Sequence, residues 1–268
     1  MEATKYDRIG KDYDATRVAD PYLAQRIFDL LEAVPGKRCL DVGCGTGNYL
    51  NALMEKGLLM HGVDPSELML EKARSKSKDA QFVTGHAEAL PFPDQMFDGA
   101  IAILTIHHWK DIEAGFKEIS RVLKSGRNFV CFSFTTQQSQ GYWLNHYFPG
   151  MMKNTFGITP DIEEMKHFLL NAGFTNVEFE PYYVKEDLCD YFLYASKYKP
   201  ERYLIPEIRS NTSAFSYYAN DSEEIENGLR QLQDDIASRK IKEVIKSYEN
   251  EHGDYLFIKA ANDLVILL

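Results

Sequence analysis

A glycine-rich segment, Asp41-Val-Gly-Cys-Gly-Thr-Gly47, lies where a short apolar run gives way to a stretch compatible with a helix. Glycines at alternate positions let the backbone turn sharply and approach a ligand that a Cβ atom would exclude. A dinucleotide-binding loop has glycines at its first, third and sixth positions, whereas Asn48 holds the sixth position here and the third glycine comes one residue early. The segment therefore predicts a ligand-binding loop and disfavours NAD.

Asp64 stands at the end of the second predicted strand, the first apolar run after this loop, and is the next candidate. In open α/β sheets an acidic residue at this distance binds ribose hydroxyls, and a carboxylate can accept two hydrogen bonds from a vicinal diol. The alternative is that Asp64 caps or shapes the turn at Pro65-Ser66. Together with the glycine loop, Asp64 favours the ligand-binding role.

The surrounding elements alternate between strand and helix. Asp20-Pro21 predicts a helix start, after which apolar residues share one helical face until Pro35-Gly36. Asp161-Ile-Glu-Glu164 matches a capping box at a later helix start. Such alternation predicts a parallel, doubly wound sheet. The first apolar face is Leu23, Ile27, Leu30, Leu31 and Val34, and the predicted strands are 38–42, 58–63, 81–84, 99–104, 128–134, 177–184 and 254–260.

The last two predicted strands are separated by about seventy residues with helical spacing of apolar side chains. We therefore predict an α/β fold with a Rossmann-like, doubly wound, seven-stranded and mostly parallel sheet and a helical insertion before the last strand. The main domain would comprise 1–184 and 251–268, and the insertion 185–250 would form a lid. Aromatic residues around it would form either that lid or a core or subunit interface: Tyr142, Trp143, Tyr147, Phe148, Phe156, Tyr182, Tyr183, Tyr191, Phe192 and Tyr194.

Composition excludes several classes of protein. The formal net charge of -10 disfavours a nucleic-acid substrate, because a surface that neutralises phosphates needs positive charge. No apolar stretch approaches the roughly 20 residues of a membrane-spanning helix, and the first residues lack a secretory pattern, so we expect a cytoplasmic protein. The four cysteines have no metal-ligand spacing, so we expect reduced thiols and no metal site.

Taken together, these motifs resemble the class I S-adenosylmethionine-dependent methyltransferases, specifically the branch with the ubiquinone and menaquinone biosynthesis enzymes. The resemblance covers about residues 36–135. It rests on Asp41-Val-Gly-Cys-Gly-Thr-Gly47, Gly62-Val-Asp-Pro-Ser66, Gly85-His-Ala-Glu-Ala-Leu-Pro-Phe92, Phe97-Asp98, His107-His108 and Arg121-Val-Leu-Lys-Ser-Gly126. It implies a cytoplasmic enzyme that uses S-adenosylmethionine, releases S-adenosylhomocysteine and methylates a small molecule, as a monomer or homodimer.

The resemblance also implies roles for individual residues. The glycine loop would cradle the methionine part of the cofactor, and Asp64 would bind the ribose. His86 stands where the family usually has an aspartate that contacts the adenine amino group. An imidazole nitrogen can accept that hydrogen bond, but more weakly than a carboxylate. The implied cofactor residues are Tyr13, Arg17, Asp41, Gly43, Cys44, Gly45, Gly47, Asp64, Pro65, His86, Ala87 and Leu104.

Two further roles come with alternatives. The segment containing Tyr13 and Arg17 resembles one that folds over the cofactor in these enzymes, where both residues would close on the methionine carboxylate and the guanidinium could bind it through two hydrogen bonds. The alternative is a charged surface helix. His107 and His108 are candidate general bases for a hydroxyl or amine acceptor, since they follow the fourth strand at the ligand-binding edge, and we select His107. Alternatively, His107 caps a turn and shapes the pocket wall.

The competing functions are a regulatory or scaffold protein that binds S-adenosylmethionine without methyl transfer, and an enzyme that moves another group from the same cofactor. A glycine loop reports the cofactor and not the group that is moved. The residues after the fourth strand, Leu104-Thr-Ile-His-His108, lack an Asn-Pro-Pro-Tyr-like motif, which further disfavours nucleic-acid methylation.

Overall fold

The structure is a computed structural model that describes residues 16–157, 159–210, 212–218 and 222–262. The strands are β1 Arg38–Val42, β2 Leu59–Asp64, β3 Gln81–Thr84, β4 Gly99–Ile103, β5 Arg127–Ser133, β6 Thr175–Tyr182 and β7 Tyr255–Asn262. The helices are α1 Pro21–Leu31, α2 Asn48–Met54, α3 Glu67–Lys76, α4 Ile112–Val122, α5 Thr136–Gln140, α6 Leu144–Tyr147, α7 Pro149–Phe156, α8 Ile162–Asn171, α9 Pro206–Ser210, α10 Ser213–Tyr218, α11 Ser222–Ala237 and α12 Ile241–Ser247. Short 3₁₀ helices cover Ile106–His108 and Pro200–Leu204.

The strands form a seven-stranded sheet in the order β3-β2-β1-β4-β5-β7-β6. β1 to β5 pair in parallel, and β7 lies antiparallel between β5 and β6. The predicted fold, including the insertion before the last strand, is confirmed. The strand order reverses between β1 and β4, and in open α/β sheets ligands bind at the carboxyl edge of this switch point.

Helix α1 begins as predicted but ends early. The side chain of Asp20 accepts hydrogen bonds from the N–H groups of Tyr22 and Leu23, which caps the helix. At the other end Glu32 takes a left-handed conformation with φ of 52°, so the helix stops at Leu31. The prediction that Val34 lies on the buried face is therefore wrong, and its side chain is 57% exposed.

Hydrophobic cores lie on both faces of the sheet. Alternate residues of a strand point to opposite faces, so Val130 and Phe132 of β5 join one core while Phe129 and Cys131 join the other. The aromatic residues predicted as lid or core lie mainly in the core. Those buried in the first cluster are Tyr142, Trp143, Tyr147, Phe148, Phe156, Tyr182, Phe192 and Tyr194.

The insertion packs on the same core as the sheet. The rings of Tyr142 and Tyr194 stack with centroids 4.0 Å apart. The Nζ atom of Lys197 lies 2.9 Å from Oδ1 of Asp254, just before β7, and both side chains are buried. These contacts fix the insertion to the sheet, while its separation as a domain and its role as a lid stay predictions. None of the helices in the described ranges has the length and apolar content to cross a membrane.

Replacing Lys197 by Met should lower the free energy of unfolding by about 3 to 5 kcal/mol, because it leaves the buried Asp254 carboxylate without its cation. Urea unfolding followed by circular dichroism measures this loss. Lys242→Met, at an exposed position, is the control and should change the value by less than about 0.5 kcal/mol. Equal stability of the two variants would contradict a stabilising role for the ion pair.

Candidate active site

The glycine loop after β1 has left-handed backbone at Gly43, Gly45 and Gly47, and the first two differ in their surroundings. Gly43 has φ of 74°, and an added Cβ would lie 2.1 Å from Oγ1 of Thr105. Gly45 has φ of 52°, and an added Cβ would meet no protein atom within 4 Å. Gly43 is thus required for packing, whereas Gly45 exposes its backbone to open space.

Asp64 braces this loop. Its Oδ2 accepts a hydrogen bond from the N–H of Gly45 at 2.9 Å, and its Oδ1 accepts one from the N–H of Ser66 at 2.9 Å. The alternative role in the turn at Pro65-Ser66 is therefore observed. A carboxylate has about four lone-pair sites, so it can accept hydrogen bonds from a ligand as well as from the backbone. The side chain is 7% exposed and lines a cavity.

Two neighbouring cavities lie over this loop, of about 240 Å³ and about 50 Å³. We call them the large and the small cavity. The predicted residues that line the large cavity are Arg17, Gly43, Gly45, Asp64, Pro65, His86, Ala87 and Leu104. Those that line the small cavity are Arg17, Asp41, Gly43, Cys44 and Gly45.

Gly47 is not among the residues that line either cavity. It precedes α2 as a left-handed N-cap residue with φ of 78°, and a Cβ there would lie 3.4 Å from the Cβ of Ala73. The presence of glycine at this position is therefore explained by the left-handed turn before α2 rather than by a ligand contact. The predicted Tyr13 lies outside the described residues.

The two histidines after β4 line different cavities, although their ring centroids lie only 3.8 Å apart. Leu104 has a left-handed φ of 50°, which costs a non-glycine residue roughly 1 kcal/mol or more, and the 3₁₀ helix follows. Successive residues of a 3₁₀ helix point about 120° apart. His108 lines the large cavity. His107 lines a third, neighbouring cavity of about 590 Å³, which we call the wider cavity, and its ring centroid lies 5.1 Å from that of Phe134.

Sequence patterns missed several residues of the cavity walls. Thr105, Trp109 and Lys110 follow β4 and line the large cavity, but only their position after the strand could have indicated them. Asp190 lines the small cavity although it lies in the insertion. No local pattern marks it. In the described part of the chain, no group of three or more His, Cys, Asp or Glu side chains is placed to hold a metal ion.

The small cavity is polar and charged. Burial, together with the nearby Asp64 carboxylate, raises the pKa of Asp41 to about 8. Arg17 lines this cavity together with Asp190, and its Nε donates to Oδ1 of Asp190 at 2.6 Å. The large cavity offers more apolar walls, from Pro65 and Leu104 among others. The two cavities thus offer apolar contacts for a base, a carboxylate for a ribose and charged groups for a zwitterionic amino acid, so these residues fit S-adenosylmethionine.

Comparison with known proteins supports the same class. A family model described as "Methyltransferase domain" matches residues 40–131. The chain is 31% identical to demethylmenaquinone methyltransferase of Staphylococcus saprophyticus, over 58% of this chain and 77% of that protein. It is 35% identical to 24-methylenesterol C-methyltransferase 2 of Oryza sativa subsp. japonica, over 46% of this chain and 35% of that protein.

A solved structure extends the likeness to nearly the whole chain. It belongs to an Anabaena variabilis protein named as a methyltransferase from an antibiotic biosynthesis pathway, with a TM-score of 0.81 and 33% identity over 92% of this chain and 99% of that one. The chain belongs to the S-adenosylmethionine-dependent methyltransferase family. It spans only 35% to 49% of the length of three curated relatives that it matches.

Binding of S-adenosylhomocysteine at pH 7 should release up to one proton from Asp41. The free carboxyl is largely protonated at this pH, and a ligand ammonium beside it favours the ionised form. Because the complex then holds fewer protons than the free protein, affinity should rise with pH and level off above about 8. Calorimetry in two buffers of different ionisation enthalpy counts the protons. Asp41→Asn should abolish the release, and an unchanged proton count in this variant would assign the proton to another group.

Proposed function

We propose that this protein transfers the methyl group of S-adenosylmethionine to a small-molecule acceptor. The observation that carries the proposal is the pair of cavities at the sheet's carboxyl edge. His86, Ala87 and Asp64 line one cavity, and the charged residues Arg17, Asp41 and Asp190 line the other, with Gly45 on the walls of both. These walls match a base, a ribose and an amino acid in one ligand.

In this mechanism different residues of the cavity walls bind different parts of the cofactor. Asp64 accepts hydrogen bonds from the ribose while it holds the N–H of Gly45 in place. His86 and Ala87 border the adenine, and Asp41 receives the ammonium group at the methionine end. The bound cofactor supplies an electrophilic methyl group on a sulfonium sulfur. The chain's contribution is alignment, which by itself can lower a barrier by about 7 to 11 kcal/mol.

Support for a small acceptor comes from charge and from the relatives. A net charge of -10 disfavours binding to a polyanionic nucleic acid. The names of the two curated relatives specify a demethylmenaquinone and a methylenesterol, both small apolar molecules. Acceptor binding beside Leu104, whose strained turn ends β4 at the large cavity, would bring its nucleophilic atom into line with the methyl group.

A hydroxyl or amine acceptor would be activated by a general base. His107 lies on the wider cavity and His108 on the wall of the large cavity, so they would act differently. His107 remains the candidate base for an acceptor that enters from the wider cavity. His108 would instead contact the cofactor.

A protein that binds S-adenosylmethionine without methyl transfer is the main competing function. Arg17, Asp41 and Asp64 together favour cofactor binding under either function. Only the detection of methylated product distinguishes the two, and movement of another group from the cofactor would give a product of different mass.

Replacing Asp64 by Asn should weaken binding of S-adenosylhomocysteine by about 10- to 100-fold, because the amide loses the charge and one acceptor oxygen. Isothermal titration calorimetry gives the affinity. Glu67→Gln is the control, since Glu67 lies in α3 with its carboxylate exposed and paired to Arg74. If the control loses as much affinity as Asp64→Asn, the result would contradict a specific role of Asp64 in binding the ribose.

Replacing His107 by Ala should lower kcat by about 100- to 10,000-fold for a hydroxyl or amine acceptor, with the cofactor KM unchanged. His108→Ala should raise the cofactor KM instead. Mass spectrometry of products from a panel of phenols, quinols, amines and sterols, followed by kinetics on the best acceptor, measures both. Unchanged turnover of His107→Ala across the pH range would leave this histidine as a wall residue.

A further inference from the structure

The first segment of the insertion runs beside the chain segment that precedes α1. The N–H of Tyr191 donates to the carbonyl of Thr16 at 3.0 Å. The N–H of Cys189 donates to Oδ2 of Asp20 at 3.2 Å. Two stretches separated by most of the chain are therefore joined next to the glycine loop, and Asp190 lies between their two contact points.

Asp190 is held from two sides. Its Oδ1 accepts from Nε of Arg17 at 2.6 Å, and its Oδ2 accepts from Nη2 of Arg17 at 3.3 Å. The hydroxyl of Tyr49 in α2 donates to the same Oδ2 at 3.0 Å. Asp190 is 1% exposed. A two-pronged pair of this kind fixes the plane of a guanidinium as well as its position.

This pair forms part of the polar end of the cofactor site. Arg17 and Asp190 line the small cavity together with Asp41 and Gly45, and Arg17 also lines the large cavity. The "Methyltransferase domain" match ends at residue 131, so Asp190 comes from a part of the chain outside it. The insertion thus lines the small cavity through the buried carboxylate of Asp190.

We propose that Asp190 is a positioning residue of the cofactor site, which holds Arg17 where this cation meets the α-carboxylate of S-adenosylmethionine. The inference rests on the proposed placement of the cofactor in the two cavities. A free arginine side chain loses rotamer freedom when it binds a carboxylate. A guanidinium already fixed by Asp190 has lost that freedom before the ligand arrives, and this preorganisation strengthens binding.

The opposite arrangement would make Asp190 a competitor that occupies the guanidinium until the ligand displaces it. The contacts favour positioning, because Asp190 is anchored by Tyr49 as well as by Arg17 and lies between two backbone contacts of its own segment. Displacement would leave a buried carboxylate without its cation, which is costly. The two arrangements predict opposite changes in affinity.

The test compares two ligands by calorimetry on the full chain. S-adenosylhomocysteine carries the amino-acid end, and 5′-methylthioadenosine has the same nucleoside without it. Asp190→Asn should weaken S-adenosylhomocysteine by about 10- to 100-fold and change methylthioadenosine by less than about threefold. Asp187→Asn, exposed on the same segment, is the matched control and should leave both affinities unchanged.

A double variant tests whether Asp190 acts through Arg17. Adding Asp190→Asn to Arg17→Gln should cause no further loss of S-adenosylhomocysteine affinity. If Asp190→Asn does not fold, Tyr49→Phe keeps the ring but removes the hydroxyl that holds Oδ2, and it should give a smaller loss with the same ligand selectivity.

The remaining outcomes separate this proposal from the proposed function. Tighter binding of S-adenosylhomocysteine to Asp190→Asn, an equal loss for both ligands, or no change would each overturn the positioning role. Failure of the unaltered protein to bind either ligand would instead overturn the proposed cofactor site itself.

Discussion

The hydrogen bond from the N–H of Gly45 to the Asp64 carboxylate joins the glycine loop to the end of β2, and the proposed cofactor site depends on it. It connects the loop after β1 to the turn after β2, so the two predicted ligand-binding features become one surface. The same carboxylate binds Ser66 at the start of α3. A carboxylate that is ordered by backbone donors has its oxygens in fixed positions, and this preorganisation suits the binding of a ribose diol.

Sequence patterns were sufficient for the sheet and for most of the glycine loop because both depend on short-range constraints. Left-handed backbone at Gly43 and Gly45 favours glycine, and this preference can be recognised in the sequence. The end of α1 was misplaced because Glu32 adopts a left-handed conformation without glycine's usual signal, and this exposed Val34. The capping box at Asp161 was confirmed, since its partners are only three residues apart.

The site beyond the loop could be predicted only in part, because its remaining walls depend on tertiary packing. Adjacent histidines look equivalent in sequence, yet on the 3₁₀ turn His107 and His108 line different cavities while their ring centroids stay 3.8 Å apart. Asp190 reaches the site from a segment more than a hundred residues after the loop. The aromatic residues around the insertion had two possible roles, and the burial of Tyr142 and Trp143 places them in the core.

The antiparallel position of β7 determines how the insertion is attached. Tyr182 at the end of β6 pairs directly with Tyr255 at the start of β7, so the insertion leaves and re-enters the sheet at neighbouring positions. Its ends are closed by strand pairing, and the entropy of closing a loop grows only as the logarithm of its length, by about 0.6 kcal/mol for each doubling. The segment could therefore change in length during evolution at little cost in closure entropy, whereas the stacking of Tyr194 on Tyr142 and the Lys197–Asp254 ion pair restrict which of its residues can change.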